Sequence, residues 1–167
     1  MPLIGGLPTH NQTHKANGSD PVIAFKRVQR EAGGTYTSTN AAFTEIDSTN
    51  LTLTLRLAIN DVVRLEFCGQ TYNSGASGAN FDFNVIQPSA GTVRANNSSL
   101  NGAAVLVSAN RSTMAYTAYF IATEAGNHTF RPVWKVGANT QTLSNSSSAD
   151  ADQTGIAFSV QNLGPSA

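Results

Sequence analysis

Leu51-Thr-Leu-Thr-Leu-Arg-Leu57 sets four leucines against Thr52, Thr54 and Arg56 in strict alternation. A period of two puts successive side chains on opposite faces of an extended chain, so the leucines share one face and the polar residues the other. The stretch predicts a half-buried β-strand. Asn60-Asp61 then supplies a turn, and Val62-Val-Arg-Leu-Glu-Phe67 resumes the alternation.

The same grammar extends both ways. Upstream, residues 23–30 alternate weakly and end at Gly33-Gly34, and residues 35–39 and 42–46 are β-branched and aromatic. Downstream, Phe81-Asp-Phe-Asn-Val85 alternates again. Residues 103–107 and 114–122 read as strands buried on both faces or nearly so. Gly126-Asn127 signals a hairpin leading into residues 128–136, where Pro132 predicts an edge strand or a bulge. Ile156-Ala-Phe-Ser-Val160 is a last alternating strand. Residues 73–79, 88–102 and 144–153 read as polar loops, and no segment carries a helical stripe. Roughly eight to ten short strands with turn chemistry between them predict an all-β fold, an antiparallel jelly-roll sandwich, with an immunoglobulin-like sandwich second. The Cys…Trp…Cys signature of the latter is absent.

Residues 1–21 differ. They hold three of the six prolines, two of the three histidines and no period of 2 or 3.6, which predicts an extended N-terminal arm. About 20 extended residues reach on the order of 65–70 Å, enough to cross a neighbouring subunit. The expected organisation is an arm over residues 1–21, a sandwich head over 22–164 and a short tail over 165–167.

Polarity comes from hydroxyls and amides: the 167 residues include 16 Ser, 18 Thr and 16 Asn, with 12% charged residues and zero net charge. A nucleic-acid partner would call for a basic excess, and there is none. No apolar run approaches the ~20 residues that span a bilayer, and the first residues lack the pattern of a signal peptide. Cys68 alone excludes an internal disulfide framework. Zero net charge gives little colloidal repulsion, which suits a subunit of an assembly.

Reactive groups are sparse. No G-x-S-x-G elbow is present, and the acids, among them Glu45, Asp47, Asp61, Glu66, Asp82, Asp150 and Asp152, sit on polar beats or in turns. The chain is therefore not expected to be an enzyme, and no cofactor is expected. His10 and His14, four residues apart, are the candidates for a metal, half a site in one chain and six imidazoles in a trimer. Packing against a partner is the plainer role for them. Cys68 follows Phe67 and reads as a small hydrophobe. The sequons at Asn50, Asn110 and Asn127 follow from composition. Tyr116, Tyr119 and Trp134 read as core aromatics. Tyr72, beside Asn73 and Ser74 and close to Asn80, marks a loop able to face a receptor.

Thr9-His10…Thr13-His14…Asn17-Gly18-Ser19-Asp20-Pro21-Val22 resembles the T-H-x3-H-x3-G-(S/T)-D-P-(I/V) stretch of tailed-bacteriophage fibre and virion proteins, with Asn17-Gly18 where many of those have Gly-Gly. Residues 116–135, with Ala125-Gly-Asn-His-Thr-Phe130, are similar to a phage jelly-roll hairpin in a head like those of the trimeric tumour-necrosis-factor and C1q proteins. The resemblance implies assembly or adhesion without catalysis. It implies a homotrimer on the virion surface, docked to other virion proteins by an arm including Leu3, Ile4, Leu7, His10, His14 and Asp20. A tail-fibre or receptor-binding role, facing a host glycan or protein, is the leading expectation. A capsid decoration or head-fibre protein is the alternative, and a carbohydrate-binding module the second.

Overall fold

The computed structural model describes residues 24–30, 35–75, 78–95, 103–106, 112–144 and 155–165. Among them are twelve strands and no helix, arranged as a jelly-roll sandwich. The arm residues Leu3, Ile4, Leu7, His10, His14 and Asp20 lie outside the described residues.

The first sheet is built on β5 (Asp61–Asn73), whose thirteen residues alternate buried and half-buried from end to end. Its partners are β9 (Ser112–Ile121), β12 (Ile156–Pro165) and β11 (Gln141–Ser144). β9 shares stretches of β5 with both β12 and β11, so those two must lie along the opposite edge. β1 (Phe25–Arg30) then pairs with β12, and β2 (Thr35–Ser38) with β11. All these pairings are antiparallel, and β9 forms an outer edge.

The second sheet centres on β10 (Gly126–Val136) and β6 (Gly78–Ile86). Along the other edge of β10 run β4 (Leu53–Leu57) and β3 (Thr44–Glu45). Along that of β6 run β7 (Thr92–Arg94) and β8 (Ala103–Leu106). The leucine stretch behaves as expected: Leu51, Leu55 and Leu57 are buried, and Leu53 packs half-buried against the same core. Aromatic rings fill the space between the sheets. Phe67 stacks on Phe81 at 6.3 Å, and Phe83 lies between Tyr116 at 5.4 Å and Phe158 at 5.6 Å.

Four expectations change. Pro132 lies in a central strand, because its missing N–H falls where the neighbour of β10 switches from β4 to β3. Its carbonyl, which points to that same edge, accepts the Ile46 amide at 3.0 Å. Residues 88–102 include β7, and β11 adds a strand at Gln141–Ser144. The third change concerns residues 42–46, where only Thr44–Glu45 form a strand. Last, β9 is buried on one face only: Ala115, Thr117, Tyr119 and Ile121 are exposed. Of the three expected core aromatics, Tyr116 and Trp134 are in the core and Tyr119 is on the surface.

Candidate interaction face

Strand register decides what the first sheet shows to solvent. Phe25, Gln161, Arg64 and Tyr119 form one row across β1, β12, β5 and β9. Arg27, Ser159, Glu66 and Thr117 form the next, followed by Gln29, Ala157, Cys68 and Ala115. Small side chains in the middle rows leave a groove of about 290 Å³, with Phe25 and Arg27 on one wall and Ala115 and Thr117 on the other. Cys68, a free thiol, lines it. Phe25 and Tyr119 are 56% and 58% exposed.

The charges on this face are few. The Arg64 guanidinium donates to Glu66 two residues along the same strand, and the Ser159 hydroxyl reaches Glu66 Oε2 at 3.5 Å. The outer face of the second sheet is of a different kind. There Arg131 pairs with Glu45 at 3.0 Å, and Asn84 donates to the same carboxylate at 3.4 Å. Arg94 reaches Asp82 at 3.7 Å while its guanidinium covers the Phe43 ring at 3.4 Å, with Lys135 over that ring at 5.0 Å. One outer face is a network of ion pairs and the other a sparsely charged groove between exposed aromatics.

The residues expected to face a receptor do not form one surface. Asn73 is the last residue of β5 and fully buried. Its Nδ2 donates to Gln141 Oε1 and to the Ala138 carbonyl, both at 3.2 Å, and its Oδ1 accepts the Gly75 amide at 3.0 Å. It therefore holds the end of the strand and presents nothing outward. Ser74 is exposed, with backbone and side-chain bonds to Thr140. Tyr72 and Asn80 are half-buried on outward positions of different sheets. The structure thus brings Asn73 and Ser74 to the 138–141 turn and separates Tyr72 from Asn80.

His128 is wholly buried against Phe120, with ring centroids 5.7 Å apart. Its Nδ1 lies 3.1 Å from the Gly126 carbonyl, so that nitrogen carries the proton. Among the described residues no three of His, Cys, Asp or Glu come together to hold a metal ion. Nor, among them, is any helix long and apolar enough to cross a membrane.

Sequence reasoning missed the groove. The signal was there in residues 114–122, where apolar side chains occupy both beats of the alternation. The structure buries only one of them.

No protein-family model and no curated protein matches the chain. Some solved structures are similar to it at low identity. The tumour-necrosis-factor protein Eiger from S. frugiperda is 9% identical with a TM-score of 0.48, over 87% of this chain and 95% of that one. The VP2 subviral particle of infectious bursal disease virus is 9% identical with a TM-score of 0.40, over 97% of this chain and 42% of the viral one. The CBM22-1 xylan-binding domain from Paenibacillus barcinonensis is 14% identical with a TM-score of 0.38, over 84% and 87%.

Proposed function

We propose that the chain is a non-catalytic structural subunit on the surface of a bacteriophage virion, of the tail-fibre or receptor-binding type. Its jelly-roll heads associate as a homotrimer, residues 1–21 dock to other virion proteins, and the rim at Ser74 meets a host glycan or protein. The observation that carries this reading is the outer face of the first sheet. An isolated subunit rarely leaves two aromatics and a strand such as β9, apolar on both beats, open to water, whereas an assembly covers them. Zero net charge, with the Arg131–Glu45 and Arg94–Asp82 pairs on the other face, is consistent with that division. The motif at Thr9–Val22 supports the phage setting and the docking role of the arm. A capsid decoration subunit would use the same face, and immunogold labelling of particles separates tail from head.

The test is a change at Ala115, exposed on the groove wall and free of core contacts. Ala115→Arg places a long cation where the neighbouring subunit would pack. Native mass spectrometry should find the parent as a trimer and the variant as a monomer, with unchanged β-rich circular dichroism. A parent that is monomeric at micromolar concentration, or a variant that stays trimeric, overturns the assembly reading.

A further inference from the structure

The head has two unlike ends, and Ala24, the first described residue, marks one of them. The Asn162 amide donates to the Ala24 carbonyl at 2.8 Å, and Phe25 pairs with Gln161, so Ala24 lies beside Leu163. Leu163 is 43% exposed. Ile121, at the end of β9, and Ile59, in the turn between β4 and β5, are 51% and 56% exposed. These three are brought to one rim by specific bonds. The Asn60 amide donates to the Ala122 carbonyl at 2.8 Å and the Ala122 amide to the Asp61 carbonyl at 2.9 Å, which lays the turn against β9. The Asp61 carboxylate accepts the Ala58 amide at 2.9 Å and the Asn162 side chain at 2.8 Å, which ties the same turn to β12.

Two carboxylates beside this rim are engaged within the head, and Arg64 flanks it one row further along the first sheet. The Asp61 carboxylate is turned inward, and Glu124 on the adjoining hairpin accepts the Ser89 and Ala90 amides at 3.1 and 3.0 Å. The opposite end is polar. It carries Ser74, Gly75 and Asn139, one length of β5 away, which for thirteen residues at about 3.3 Å each is roughly 40 Å.

We infer that the Ile59–Ile121–Leu163 rim is a second docking surface, seated on an apolar surface of the same virion protein that holds the arm. This rests on the reading of residues 1–21 as the attachment arm. Because Ala24 is hydrogen-bonded in place next to Leu163, a partner gripping the chain just before it has to come within a few residues of this rim. The rim matches such a partner in kind, presenting three exposed aliphatic side chains held in place by backbone and side-chain hydrogen bonds. In a cyclic trimer the three copies of the rim stand at one level with the three Ala24 residues, forming a single base. The Ser74 ends then point away from the particle. A second copy of this chain and the chain's own arm are the competing occupants.

The test uses the full chain with the photo-crosslinker benzoylphenylalanine in place of either Ile59 or Ser74, assembled on virions grown without it. The expected result is an adduct to a different virion polypeptide from position 59 and none from position 74. Ile59→Asp with Leu163→Asp should lower occupancy at least tenfold while the native mass of the trimer is kept. Adducts from position 59 confined to this chain, no adduct there, or a virion adduct only from position 74 overturn the inference. A chain lacking residues 2–20 separates it from the reading beneath. If that chain decorates particles fully, the arm is not the anchor. If it fails to bind while the Ile59/Leu163 variant binds fully, only the rim assignment falls.

Discussion

Asp47 shows how a single side chain organises a loop in this protein. Burial alone would raise its carboxyl, but the Tyr36 hydroxyl at 2.6 Å, the Asn50 amide and side chain at 2.8 Å and the Thr49 amide at 2.9 Å all donate to it. Together they hold it at about 2, below the ordinary 3.8. Burial and the same carboxylate raise the Tyr36 phenol. A carboxyl depressed by folding stabilises the folded state fully above its unfolded value and loses that contribution as pH falls through the folded one. The window is therefore pH 4 to 2. Asp47→Asn should lower stability at neutral pH and flatten the fall between pH 4 and 2, read as urea midpoints against pH. A variant whose acid limb is as steep as the parent's would assign that limb to other carboxylates. Because the group is only half-buried, the effect should be modest.

At the level of elements, legibility followed how much sequence an element spends on its pattern. β4 was plain because leucine recurs at every second position and nothing apolar falls between. β3, with two residues, and β7 and β11, with three and four, are too short for a period to show. They exist because a longer neighbour supplies the partner groups. Asn73 was misplaced because its Gly- and Ser-rich surroundings describe a loop, whereas its side chain closes the β5 end from within. β9 reads as doubly buried in sequence because Ala115, Tyr119 and Ile121 put apolar side chains on the beat that the structure leaves exposed. Since Leu55 is 3% exposed and Leu53 only half-buried, their acidic variants should differ. Leu55→Asp should cost about 3–5 kcal/mol by urea unfolding, with Leu53→Asp clearly less. Equal costs would mean that the leucine face does not meet the core as described.

Across the whole molecule, the two outer faces and the two ends differ in kind. In the proposed assembly the groove of the first sheet meets a copy of the same chain and the rim beside Ala24 meets the particle. Composition foreshadowed the neutrality of the head, but only register revealed that Arg64–Glu66 lies on one outer face and Arg131–Glu45 and Arg94–Asp82 on the other. Cys68 gives the central claim its most direct measurement, since the chain's one thiol lines the groove that self-association should cover. The rate at which a bulky maleimide–polyethylene glycol labels it should be at least tenfold lower in the native trimer than in the Ala115→Arg monomer. A trimer whose Cys68 reacts as fast as the monomer's would show that the heads meet through some other surface.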